Sequence, residues 1–230
     1  MNSYGLSTPA AMAGTDARAA FITRTYYHLF GAILLFAGIE VALFRSGLAE
    51  QIAVALLGVN WLLVLGGFVV VSWIASRTAY QAESTPAQYA ALVGFVIAEA
   101  IIFVPLLYVA AFYAGEGVIR SAAWVTILGF TGLTAIAVLS RKDFSFLGGL
   151  LKWGFVVALV LIVAGVLFGF QLGTFFSVAM IGLAGAAILY DTSKIMRDFP
   201  VDRHVAASLQ LFASVALMFW YVLQLFMARD

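Results

Sequence analysis

Long apolar runs, separated by short polar intervals, fill this chain from Tyr26 to Met227. A helix that crosses a bilayer needs about 20 mostly apolar residues. Seven runs reach or approach that length, at residues 26–44, 52–75, 88–112, 122–139, 146–170, 174–190 and 205–227. The pattern predicts an all-α, polytopic membrane protein with seven transmembrane helices in one domain, residues 26–227. Only the segment QLGT separates the fifth run from the sixth, and Gly169 and Gly173 there predict a tight turn. Residues 1–25 are small and polar and predict a flexible or surface-lying tail. That tail does not read as a cleavable signal peptide, because no apolar core lies within it.

Composition sharpens this picture. Of 230 residues, 64% are apolar and 10% charged, against roughly 45–50% and 25% in soluble domains. There is too little charged side chain to cover a water-facing surface, so the bilayer is the expected solvent and partner. A net charge of +1 makes no case for nucleic acid. The chain has no cysteine, which excludes disulfides, thiolate catalysis and Cys-based metal sites. Its two histidines, His28 and His204, are far apart in sequence and in neither an HxxxH nor an HxxE pattern. No nucleophile–base pair or phosphate loop stands out, and the glycines fall within the spans, where they serve packing. The sequence predicts neither an enzyme nor a cofactor or metal.

The basic residues predict an orientation. Arg18, Arg24, Arg77, Arg141, Lys142, Lys152, Lys194, Arg197 and Arg203 fall on one side of the seven runs, and Arg45, Arg120 and Arg229 on the other. Nine against three places the N-terminus in the cytoplasm and the C-terminus outside.

Three acids interrupt the apolar runs: Glu40, Glu99 and Asp191. A charge at mid-span costs about 2.5–3.5 kcal/mol on insertion scales, so such a residue faces the bundle interior, finds a partner or stays protonated. Glu99 lies deepest, within GFVIAEAIIFVPLLYVAAF, and is expected to face the interior. Pro105 follows it and removes a backbone hydrogen bond, which predicts a break in the helix beside the acid. Glu40 lies near the outer end of the first run, within reach of the external interface and Arg45. Asp191 opens a charged stretch, DTSKIMRDFPVDRH, in which Asp191, Lys194 and Asp198 have the spacing of helical ion pairs.

SRKDFSFLGGLL, residues 140–151, resembles the cytoplasmic-loop signature of the transmembrane Bax inhibitor motif family, and Arg141, Lys142 and Asp143 carry that likeness. AILYDTSKI, residues 187–195, resembles the family's sixth-span signature, and SLQLFASVALMFWYVLQLF is similar to its last span. The resemblance implies six helices around a central one. In some bacterial members it implies a proton-sensitive calcium leak, with an acid at the place of Asp191 sharing a proton with a second acid on the last span. An arginine, best matched by Arg77, would latch the closed state. This chain departs from that pattern: Ser214 stands where the second acid is expected. The serine, the RKDFSFLGG loop and the Arg229–Asp230 end resemble a bacterial inner-membrane branch that binds and modulates the FtsH protease. That likeness implies a proteostasis role, with the N-terminal tail as the protease's handle. The alternative it leaves is a cation leak in which Glu40, Glu99, Asp191, Arg77 and Ser214 line or gate the path of calcium.

Overall fold

A computed structural model of the chain describes residues 8–140 and 142–228. Residues 1–7 of the tail, Arg141 of the loop motif and the terminal Arg229 and Asp230 lie outside the described residues. The rest folds into eight helices: α1 (Thr15–Ser46), α2 (Leu48–Leu57), α3 (Trp61–Gln81), α4 (Thr85–Tyr113), α5 (Val118–Ser140), α6 (Leu147–Phe168), α7 (Gly173–Arg197) and α8 (His204–Met227). Seven are long and apolar enough to cross a membrane, and α2 is not.

The second expected span is therefore corrected. Its first part belongs to α2, and the crossing helix is α3, which starts at Trp61 and runs on to Gln81. Local chemistry explains the division. Gly47, at φ 77°, closes α1 and opens α2 in the left-handed region that glycine enters without penalty. Asn60 then caps α3, its side-chain oxygen accepting from Leu62 N at 2.9 Å.

Residues 8–25 of the expected tail are ordered instead. Helix α1 begins at Thr15, ahead of Tyr26. Residues 8–11 pair with the α7–α8 connection, through Ala10 N to Phe199 O at 2.9 Å, Ala11 N to Arg197 O at 3.1 Å and Val201 N to Thr8 O at 3.2 Å. Ala10 is fully buried in the core cluster that includes Ala79, Ile195 and Phe199.

Helix α8 is the centre of the bundle. It packs on α1, α3, α4, α5 and α7, and Tyr221 shares a small buried cluster with Ala158 of α6. Its spanning window is 67% buried and that of α4 61%, whereas the other five crossing helices stay at or below 33%. Aromatic contacts lock this centre. Phe103 of α4 stacks on Phe219 at 5.7 Å and meets Trp220 edge-on at 4.9 Å, and Phe36 of α1 meets Phe103 at 5.1 Å. Outside, the polarity is inverted relative to a water-soluble bundle: Leu63, Trp73, Leu128, Leu167 and Phe175 all stand exposed. An apolar periphery of this kind is in its favoured medium only in lipid.

The glycines serve this bundle. A Cβ on Gly129 would meet Met218 Sδ at 3.3 Å and one on Gly185 would meet Leu133 Cδ1 at 3.2 Å, so both let neighbouring helices close in. The Gly165–Gly169 pair serves the turn between α6 and α7. Gly165 lies against the Phe170 carbonyl, and Gly169 caps α6 at φ 71°.

Candidate functional site

The polar centre of the molecule lies between α7 and α8, around Asp191. Helix α7 turns a buried face of Ala184, Ala187, Ile188 and Asp191 toward α8, so the acid sits at the end of an otherwise apolar seam. Residues four apart on a helix share a face, and α8 offers Gln210 and Ser214 at that spacing. Asp191 Oδ1 accepts from Gln210 Nε2 at 2.5 Å and Oδ2 from Ser214 Oγ at 2.6 Å. Asp191 keeps 5% of its surface exposed and Ser214 7%. Both carboxylate oxygens are thus taken by neutral donors from the central helix. The expected neighbours Asp191 and Ser214 do meet. Gln210 is the partner that a search for charged residues passes over, although its place four residues before Ser214 could have revealed it.

The charged stretch after Asp191 does not form the ladder that its spacing predicts. Lys194 turns to aromatic faces, lying 5.6 Å from the Tyr190 ring centre and 6.0 Å from that of Phe199. Arg197 instead reaches Asp143 in the α5–α6 connection at 3.4 Å. Asp143 also accepts from Ser145 N at 2.8 Å, a turn within the loop motif. Phe144 N donates to the buried Ser193 Oγ of α7 at 3.1 Å. The loop motif is therefore docked on α7 just beyond Asp191. The Ser145 backbone amide, then the Ser145 side chain and the Arg197 guanidinium, hold the Asp143 carboxyl below its ordinary range. Lys142 is exposed, its backbone amide donating to Ser140 Oγ at 3.4 Å.

Arg77 takes no part in this centre. It lies on an exposed face of α3, donates to Gln81 Oε1 at 2.9 Å and stacks over Trp73 at 5.3 Å. Packing turns this stretch of α3 inward through Ala75 and Ala79, which places Arg77 away from Asp191.

The other two acids stay apart from Asp191. Glu99 is 6% exposed and shares its face of α4 with Phe95 and Phe103, whose rings meet Phe212 and Phe219 of α8. The central helix therefore stands between Glu99 and Asp191. Glu40 occupies the α1 face between Phe36 and Phe44, nearer the opposite end. It does not reach Arg45 or the exterior: both its carboxyl oxygens are buried without a hydrogen-bond partner. Among the described residues Glu99 makes no ion pair or hydrogen bond either. Pro105 leaves α4 continuous from Thr85 to Tyr113, so the break expected beside Glu99 is not there.

The two histidines, distant in sequence, are neighbours in space. Their ring centres lie 4.9 Å apart. His28 Nδ1 is 2.6 Å from Arg24 O, and Nε2 is 2.6 Å from Tyr89 Oη. A carbonyl only accepts, so Nδ1 carries the hydrogen, and in the neutral ring Nε2 accepts from the tyrosine. This ties α1, α4 and α8 together at the end of the bundle that also carries Arg203, whose guanidinium donates to Ala82 O of the α3–α4 corner. No group of three or more metal-ligating side chains occurs among the described residues.

Residues 18–230 match the family described as inhibitor of apoptosis-promoting Bax1. An uncharacterised Pseudomonas aeruginosa protein is 36% identical over 115 residues, which is 49% of this chain and 50% of that protein. An Escherichia coli protein named modulator of FtsH protease YccA is 35% identical over 121 residues, 51% of this chain and 55% of its own length. The counterpart in another strain carries the name inner membrane protein YccA. An uncharacterised Campylobacter jejuni protein is 29% identical over 227 residues, 91% of this chain and 90% of its own. The chain thus spans about half the length of the Pseudomonas and Escherichia relatives it matches.

Proposed function

This chain belongs to the family of inhibitors of apoptosis-promoting Bax1, and we propose that it is a bacterial inner-membrane protein that modulates a protease of the FtsH type. It is a multi-pass membrane protein with seven apolar spans. The excess of basic residues at one end of the bundle supports a cytoplasmic N-terminus and an external C-terminus. The relative named as a modulator of FtsH protease supports the partner. The observation that carries the reading is the state of Asp191. Its oxygens are held by an amide and a hydroxyl, and among the described residues no second carboxyl joins them. A proton shared between two acids is what makes such a centre titrate in separated steps. With neutral donors in place, the centre is a joint between α7 and α8, suited to a protein that acts through contact.

The test is reconstitution with purified FtsH, ATP and a membrane substrate. The full chain is expected to slow the substrate's degradation. A variant lacking residues 1–13 is expected to lose that effect while its seven spans still insert. No effect of the full chain on the protease, together with no degradation of the chain itself, rejects this reading.

A second reading, a cation leak with calcium as permeant, is favoured by Glu40 and Glu99, two buried acids for which no hydrogen bond is found among the described residues. Calcium flux in proteoliposomes separates the two. Flux through the wild type that falls in Glu99→Gln supports the leak. Flux that appears only in Ser214→Asp identifies the native chain as a non-conducting relative.

A further inference from the structure

We propose that residues 8–13 are a releasable strap that controls how much of the N-terminus a processive protease can grip. The inference rests on the protease reading above. Its basis is the pairing of this segment with the α7–α8 connection. Ala10 N donates to Phe199 O and Val201 N donates to Thr8 O, which frames Pro9 and Pro200 as an antiparallel pair. That arrangement is the wide, non-hydrogen-bonded kind, in which neither framed residue uses its own N–H. Proline, which has none, fits both places without losing a bond. Ala11 N adds a third bond, to Arg197 O at 3.1 Å.

The strap is well made but lightly held. One side chain, Ala10, is fully buried under it, whereas Met12 is 80% exposed and the segment ends at Gly14, which offers α1 no side-chain cap. Three backbone bonds and one methyl group hold it, against the aromatic and aliphatic seams that hold the helices. Behind it the anchor is firm: Phe199 is buried, with Tyr80 edge-on at 5.7 Å. The strap therefore releases before the bundle opens. Release frees residues 8–13 and adds roughly 20 Å of reach at about 3.3–3.6 Å per extended residue. A protease that must thread a free segment before pulling gains that extra length only when the strap is undocked. The same release frees the connection between the two helices that meet at Asp191.

The chain has no cysteine, so Pro9→Cys with Pro200→Cys creates a single possible disulfide. The wide antiparallel pair sets the Cα atoms about 4.5 Å apart, within disulfide range. In proteoliposomes with FtsH and ATP, the oxidised double variant is expected to be degraded at least about fivefold more slowly than the same protein reduced, since cleavage tracks the open population. Ala10→Asp, which puts a charge where no surface is exposed, is expected to be degraded faster than wild type. Wild type itself should ignore the reductant. Equal rates for the oxidised and reduced double variant overturn the strap. If FtsH degrades none of these proteins, the protease reading rests on the substrate assay alone. The strap is then read by trypsin cleavage after Arg18 in the first turns of α1. Slower cleavage in the oxidised form supports it, and equal cleavage overturns it.

Discussion

Asp191 accepts from two donors on one face of α8, and the two are not equivalent. Ser214 is buried, whereas Gln210 is partly exposed. Ser214→Ala leaves one carboxylate oxygen without a partner in a dry place, which costs about 1–3 kcal/mol. Gln210→Ala opens the site toward solvent that can substitute, and is expected to cost less. Thermal unfolding in detergent measures the order, and a smaller loss for Ser214→Ala contradicts the assignment. Asp143 gives a prediction in pH. Its carboxyl lies below its ordinary range in the fold, so the stability it contributes is complete above the unfolded range and is lost as pH falls through the folded one. Asp143→Asn keeps an oxygen for the Ser145 amide and loses the ion pair, which is exposed and worth little. Asp143→Ala loses both. Protection of the Ser145 amide, its exchange rate taken relative to an unstructured peptide at the same pH, is expected to fall on acidification in wild type, to be slightly reduced but insensitive to that acid range in the Asn variant, and to be low and insensitive in the Ala variant. At this scale the sequence exposes which residues are costly but not their facing. Asp191, Glu40 and Glu99 announce themselves by their price in lipid. The outward turn of Arg77 and the meeting of His28 with His204 depend on helix rotation and packing, which a linear pattern does not contain.

Among the elements, six of the seven crossing helices follow directly from apolar run length, because lipid imposes that length on any helix that spans it. The second run misleads because α2 is as apolar as a span. Only Gly58 and the capping Asn60 mark its separation from α3. Pro105 misleads in the other direction: proline weakens a helix locally, and the walls of α3, α8 and α1 around α4 keep it continuous. Helix α6 is held to the bundle chiefly by α7, at a seam that rests on close approach at glycine. A Cβ at Gly154 would lie 2.6 Å from Leu183 Cδ1, closer than any real contact. Gly154→Ala forces the flexible end of the half-buried Leu183 to rotate away, which offsets the helix-propensity gain of about 1 kcal/mol and is expected to loosen the seam more than it lowers stability. Cysteine crosslinking between α6 and α7 reads the result, and an unchanged yield shows that the seam absorbs the methyl group.

For the molecule as a whole, the medium follows from composition, and the orientation is the one proposed from charge. Met12→Cys tests the orientation: this exposed residue is expected to react with a membrane-impermeant maleimide only after the cytoplasmic face is opened. Labelling from outside intact cells reverses the topology. The docking of residues 8–11 was hidden from the sequence because a strap is made by backbone, and backbone donors carry no signature in side-chain pattern.

The central position of α8 has a consequence for how the protein is made. The helix that touches almost every other one is also the last of the described helices to leave the ribosome. Until it arrives, the earlier spans wait in the bilayer around an empty axis, with Asp191 lacking both Gln210 and Ser214 and Glu99 lacking its aromatic wall. Birth order and architecture thus oppose each other. An interrupted translation product advertises its incompleteness through a bare acid in oil, and membrane quality control has a mark by which to tell it from the finished chain.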